Sequence, residues 1–353
     1  MTTRGKEGTD MATTPGRIVI GTTLGEASDE VVAAGARIAQ ATGATIHLVN
    51  AFAVPLALAG GPFVQTAYEV PLDPRELAQA GRERMEDQIA RLRLAGGGSI
   101  VRHVEEGPAH RVLSEVARRE NAELIVVGAA DTLGAHLFGS TASRVVRKAR
   151  CPVLVLRFAL RLPPRRVLMP VDLSPLSAEA VTCGLALLER MGAARPGAQG
   201  HQGTAIEAFH VVVPTGSEGF IPHFDLEGAV RAGANKLGDF LSSNVRDGWR
   251  IERRAAFGGA REEVLHHIES TRPDLVVMGT HGLSGFERFM LGSVAESVVR
   301  ACRTSVLVVP PRAAHLASAA LARVQASGTD RVAIPAGLPA APSSQASRPQ
   351  ASR

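Results

Sequence analysis

The stretch 276–300, VVMGTHGLSGFERFMLGSVAESVVR, carries residues whose types and spacing suit anion binding. Three glycines and a serine fall in the pattern Gly279-x2-Gly282-x9-Gly292-Ser293. Glycine lets a backbone approach a ligand closely and adopt positive φ. The segment opens as a buried strand and closes as a helix beginning at Gly292 and Ser293. A helix N-terminus offers unpaired N–H groups and a partial positive charge. Together these features suit a phosphate cradle. On spacing alone the same residues serve equally as a βα turn that needs glycine only for its bend. A second chemical group is Asp172, which ends the apolar run VLMPVDLSP. A carboxylate facing an N–H-rich loop suits a nucleotide, with Asp172 on ribose or adenine polar groups and the 279–293 loop on phosphates. Its Asp-x-Ser-Pro setting equally suits a turn or helix-cap residue.

The elements that must position these groups alternate strand and helix along the chain. Strands are expected at 17–20, 44–49, 100–104, 123–127 and 153–156, with helices at 29–42, 75–94, 108–120 and 139–148 between them. A proline-bearing connection, 55–74, separates the second strand from the second helix, which Gly96, Gly97 and Gly98 are expected to stop. The order then repeats. Strands fall at 166–169, 205–213, 250–256, 274–278 and 305–309, and helices at 177–191, 225–244, 260–271 and from 292 onward. Matching points are far too distant for a solenoid, so a whole domain is duplicated. Alternation of this kind implies an α/β fold: two tandem doubly wound five-stranded parallel-sheet domains, Rossmann-like, with strand order 3-2-1-4-5. The expected boundaries are 17–157 and 166–310, with a proline-bearing linker at 158–165 and disordered ends at 1–16 and 311–353. The second copy has its own Gly/Pro/Gln-rich loop at 192–203. In doubly wound sheets, ligands bind at the carboxyl ends of the strands where strand order reverses. The first and fourth strands of each copy flank that point.

Composition narrows the function classes. The 353 residues are 45% apolar, enough for full cores. No apolar run reaches the ~18 residues of a membrane span, and the N-terminus has no secretory signal pattern. The net charge is +5, but residues 311–353 hold five arginines against one aspartate. The charge is therefore a basic tail and not a nucleic-acid groove. With one Trp and one Tyr, stacking platforms for single strands are not expected. Cys151, Cys183 and Cys302 lack metal-ligand spacing and read as reduced, buried thiols of a cytoplasmic protein. His266 and His267 read as helix-surface residues without a metal partner. His281, Glu287 and Arg288 read as solvated loop residues, and Glu296 as part of a solvated face.

With VLMPVDLSP before it and CRTSVLVVP after it, the segment GTHGLSGFERFMLGSVAESVVR resembles the ATP-binding branch of the universal stress protein family. The resemblance covers both repeats. It implies ATP as ligand, with or without Mg2+, framed by Asp172 and Val211 at the adenosine. Gly279, Gly282, Gly292, Ser293 and Val294 would hold the phosphates. It also implies pairing through fifth strands, so that 153–156 and 305–309 pair within one chain or between two chains of a homodimer. An unknown protein partner is implied; a membrane or specific nucleic acid is not. The first copy departs from the pattern. Its loop reads Gly128-Ala-Ala-Asp131 and then runs to Gly139-Ser140, two residues short, and Thr23 stands in place of Asp172. Asp131 would repel phosphate, so the first site is expected to be degenerate. An ATP-binding regulatory protein is the leading reading. A slow ATPase and a ligand-free scaffold remain alternatives. The loop has no Walker lysine, and no acid is paired with it beyond Asp172 to orient water or a metal.

Overall fold

The computed structural model describes residues 16–53, 73–94, 98–129, 140–157, 160–193, 203–214, 224–245, 248–280 and 291–311. The expected disordered N-terminus and nearly all of the basic tail, including a possible helical turn at 314–324, lie outside the described residues. So do most of the 55–74 connection, the core of the 192–203 loop, Gly96, Gly97, Asp131, Gly139, His281, Gly282, Glu287 and Arg288.

The first half runs β1 (Arg17–Thr22), α1 (Asp29–Thr42), β2 (Thr45–Phe52), α2 (Pro74–Arg91), β3 (Ile100–Glu106), α3 (Ala109–Arg119), β4 (Leu124–Gly128), α4 (Ser140–Lys148) and β5 (Val153–Leu156). The second runs β6 (Arg166–Pro170), α5 (Pro175–Arg190), β7 (Ala205–Val212), α6 (Leu226–Asn244), β8 (Ile251–Phe257), α7 (Ala260–Thr271), β9 (Leu275–Gly279), α8 (Ser293–Ala301) and β10 (Ser305–Val309). Local chemistry explains most boundaries. Gly43 takes φ 65° and closes α1. Asp73 and Ser174 cap α2 and α5 through bonds to Arg75 N–H and Ser177 N–H, each ahead of a proline at the first turn. The second helix stops at Arg91 and not at 94, because Arg93 turns left-handed at φ 53° before the glycine triplet is reached. β2 extends to Phe52, since β3 pairs with it through Phe52↔Glu106.

The sheet order is β3-β2-β1-β4-β5-β10-β9-β6-β7-β8. Each half has the order 3-2-1-4-5 with parallel neighbours, as the alternation implies. The halves then fuse, because β5 and β10 pair antiparallel through Val155↔Val306, Leu154↔Leu307 and Val153↔Val308. Of the two pairings left open by sequence, the intrachain one forms. Leu154 and Leu307 face one side of the sheet with the α1, α2, α5 and α6 layer, while Val153, Val155, Val306 and Val308 face the other. Both cores therefore run unbroken from one half into the other. Across the seam, Arg190 meets Glu123 at 2.7 Å in a largely buried pair, and Arg147 meets Glu296 at 2.6 Å. Glu296 thus sits in an ion pair across the seam, although its pattern alone read as a solvated face.

Duplication extends to close packing. A Cβ on Gly35 of α1 would lie 2.6 Å from Ile20, and one on Gly184 of α5 would lie 2.5 Å from Val277. In both halves the first helix needs glycine to press against the central strands.

Candidate functional site

The site is built where the second half's sheet splits. The ladder between β6 and β9 ends at Leu168↔Val276. β6 continues with β7 to Pro170↔Phe209, and β9 continues with β10 to Gly279↔Val309. The two central strands thus part toward their carboxyl ends, at the reversal of strand order where doubly wound folds bind ligands. In the first half the β1–β4 ladder runs one pair further, to Ile20↔Val126.

Asp172 follows β6 by two residues. Its Oδ1 accepts from Ser174 N–H (3.1 Å), from Ser174 Oγ–H (2.6 Å) and, closely, from Ser177 Oγ–H. The turn this closes holds Leu173 at φ 66°. One oxygen of Asp172 therefore organises the entry to α5, which is the turn chemistry its Asp-x-Ser-Pro setting suggested. Val211 lies on the neighbouring strand, two residues past Phe209, and so level with Asp172. It is buried, 8% exposed. Between them, His210 Nδ1–H donates to Val171 O at 2.8 Å; a carbonyl can only accept, so the proton lies on Nδ1.

On the other side of the split, Gly279 ends β9. Thr280 N–H donates to Val309 O (3.1 Å), and Gly292 N–H donates to Thr280 O (2.8 Å). That second bond pins the two ends of the 281–290 loop together and brings the start of α8 to the tip of β9. Gly292 is the N-cap, and as a glycine it has no side chain with which to cap the helix. The N–H groups of Ser293, Val294 and Ala295 head α8. Ser293 is exposed, Val294 half-buried and Ala295 buried. The structure therefore places Asp172, Val211, Gly279, Gly292, Ser293 and Val294 along one carboxyl edge, on β6, β7, β9 and α8. Gly282 lies outside the described residues. This donor-rich edge fits a phosphate group, and the half-buried strand ends beside it fit a flat apolar ring.

The matching edge of the first half is tied shut on its α1 and α2 side. Thr22 Oγ–H donates to Gln88 Oε1 (2.8 Å) and contacts Ser28 Oγ (2.9 Å), while Gln88 Nε2–H donates to Ser28 Oγ (3.2 Å) and Asp29 Oδ1 (2.6 Å). Gln88 is fully buried. Arg91 completes the tie with two bonds to Asp29, of 2.8 and 2.9 Å. That guanidinium beside Asp29 holds its carboxyl below the ordinary value. Leu24 repeats the left-handed turn of Leu173 at φ 64°, but the acceptor for its N–H is the Thr22 hydroxyl.

Two sequence readings need correction. His267 is buried, not on the surface: its Nε2 is bonded to Glu207 Oε1, and its ring stacks on Phe209 at 4.1 Å. Only its neighbour His266 is exposed. The sequence reading also overlooked a His–His–Glu group in the first half, His47, His103 and Glu120. These residues are distant in sequence and share no motif; the β2–β3 register, with His47 opposite Val101 and His103 opposite Val49, brings the two histidines to diagonal positions. All three cysteines are free and buried, as expected. Burial pushes the Cys151 and Cys183 thiols up to about 12 and that of Cys302 to about 11.

Fold and site together define a tandem doubly wound α/β protein whose second half parts between β6 and β9 at their carboxyl ends. The universal stress protein family profile matches residues 15–157 and again 164–310, and the chain belongs to that family. A universal stress protein of Mycolicibacterium smegmatis is 27% identical over 312 residues, covering 84% of this chain and 97% of its own. Universal stress protein G of Escherichia coli O157:H7 is 30% identical over 133 residues, covering 37% of this chain and 90% of its own. The crystal structure of a universal stress protein from Archaeoglobus fulgidus superposes with TM-score 0.58 at 17% identity, covering 83% of this chain and 98% of that one. Of the described helices, none is long and apolar enough to cross a membrane.

Proposed function

We propose that the protein is a regulatory nucleotide binder that holds one ATP in the crevice between β6 and β9. The observation that carries this reading is the parting of β6 from β9 directly beside the start of α8. Phosphate oxygens would accept from the N–H groups of Ser293 and Val294, with Gly279, Gly282 and Gly292 permitting close backbone approach. The adenosine would lie against Val211 and the Asp172 turn. The first half, with its tied edge, would serve structure and interaction. Pairing of two chains through the outer strands β3 or β8, with the fifth strands already spent on the seam, is the assembly that remains open to a homodimer. In this reading ATP biases shape or partner choice, since the sequence of the loop carries no Walker lysine. Mg2+ would enter as a counterion of the phosphates.

Titration calorimetry of the full chain with ATP tests this. Saturation at a single equivalent per chain is expected. Two equal sites, or no heat of binding, would overturn the reading.

A further inference from the structure

On the opposite half of the molecule, under α3, a second set of groups converges. His47 on β2 and His103 on β3 are both nearly buried, and His47 Nδ1 lies 3.0 Å from His103 Nε2. Glu120, just past the end of α3, brings Oε2 to 4.0 Å from the same His47 nitrogen. The three ligand atoms all lie within 4.8 Å of one another. We propose that His47 Nδ1, His103 Nε2 and Glu120 Oε2 form a binding site for a divalent transition metal of the zinc class, one per chain. Donor atoms around tetrahedral zinc stand about 3.4 Å apart, given Zn–N and Zn–O bonds near 2.1 Å. The observed separations bracket that value, so the shell closes by shifts within the reach of side chains. Glu120 is 28% exposed, which leaves a solvent-facing fourth position and an entry path.

The surrounding groups fit the role. Arg119 Nη2–H donates to His103 Nδ1 (3.2 Å) and to Glu105 Oε1 (2.7 Å), and its Nε–H to Glu120 Oε1 (3.3 Å). Arg119 can only donate, so in the metal-free protein Nδ1 of His103 accepts and the imidazole proton sits on Nε2, shared with His47 Nδ1. Metal binding moves that proton from Nε2 to Nδ1, where Glu105 Oε1, now 3.7 Å away, becomes its acceptor. Arg119 keeps both carboxylates and releases the imidazole. A carboxylate behind a ligating histidine is a recurring device for fixing its tautomer. The Glu105 and Glu120 charges offset the ion in part, with the guanidiniums of Arg119 and Arg17 nearby; Arg17 Nη1–H donates to Glu120 O at 2.9 Å.

The second half cannot repeat the site. Strand register makes Glu207 the counterpart of His47 and Arg254 the counterpart of His103. There Glu207 binds His267 closely and has Arg254 Nε at 3.6 Å, which leaves one imidazole and a fixed cation.

The test uses chelator-treated full-length protein and Co2+ as probe. A saturable, intense visible band of tetrahedral Co2+ at one ion per chain is expected, displaced by Zn2+, and absent from His47→Ala and His103→Ala. Glu105→Gln, outside the ligand set and partly exposed, should keep the band and weaken affinity about 10–100-fold. Because Glu105→Gln spares the buried shell, it decides the matter if the histidine variants fail to fold. No saturable uptake by the parent chain, a weak octahedral spectrum, or uptake unaltered by Glu105→Gln would overturn the proposal.

Discussion

The two halves differ most where their first and second helices meet. In the first, Asp29 and Gln88 cross-link α1 to α2 and tie both to Thr22. Strand register and helix packing identify the counterparts. Gly81 of α2 and Gly233 of α6 each face the equivalent β2 or β7 residue, Asn50 or His210. Counting from these glycines makes Phe240 the counterpart of Gln88, and counting from Gly35 of α1 and Gly184 of α5 makes Ala178 that of Asp29. Phe240 and Ala178 line a cavity of about 440 Å3 between α5 and α6. Where one half has a polar clamp, the other has space. The clamp also removes the need for an acid: Thr22 satisfies the turn that Asp172 serves in the second half. Duplicated backbones can thus diverge in function by a few side chains, provided each keeps its own turn satisfied.

The largest effect should come from charge at the two equivalent helix starts. Ser293→Asp places a carboxylate in the first turn of α8, which favours the helix but opposes a phosphate. Like-charge contact costs several kcal/mol, so ATP affinity measured by calorimetry should fall about 100-fold or more with no loss of thermal stability. Ser140→Asp, the matching change in α4, should leave affinity unaltered. If Ser140→Asp instead abolishes binding, the assignment of open and closed halves is reversed. Next, Gln88→Ala breaks the clamp and leaves the Thr22, Ser28 and Asp29 groups without it. Losing a buried hydrogen-bonding partner costs about 1–3 kcal/mol. Chemical denaturation should register that loss while ATP affinity stays constant.

A smaller effect separates the two duties of Asp172. Asp172→Asn keeps a carbonyl to accept from Ser174 and Ser177 but removes the charge. Charge-assisted bonds are roughly twice as strong as neutral ones, so stability should drop by about 1 kcal/mol. A tenfold or greater fall in ATP affinity, with that modest destabilisation, would show that Asp172 serves ligand as well as turn. Unaltered affinity would leave it a turn residue alone.

Much of the architecture was legible in the chain. The period of apolar residues located all ten strands, and the spacing of the repeats disclosed duplication. Both followed from burial, which the sequence records residue by residue. That Asp172, Gly279, Gly292 and Ser293 lie along one carboxyl edge was legible because they cluster at strand ends and a helix start. Three features were not. The clamp joins residues some sixty positions apart through ordinary Gln and Ser types. His267 looked like a surface residue because α7 carries His266 beside it, and only the approach of Glu207 and Phe209 reveals which one faces inward. The His47–His103 pair depends on strand register, which periodicity does not specify across separate strands.

The smallest expected effect is one of pH, and it belongs to the first half alone. Arg91 holds the Asp29 carboxyl below its ordinary value, and Ala178 offers no counterpart in the second. Because the folded value is depressed, the stabilisation is present above the unfolded pKa of about 3.9 and is lost as pH falls through the lower folded value. The pair is partly exposed, 43% at Arg91 and 18% at Asp29, so solvent screens it and the effect is small. Unfolding curves of the parent and of Asp29→Asn, compared from neutral pH down through that window, should converge as acid neutralises Asp29. A gap that persists below the folded pKa would mean that Gln88, not the charge on Asp29, carries the clamp.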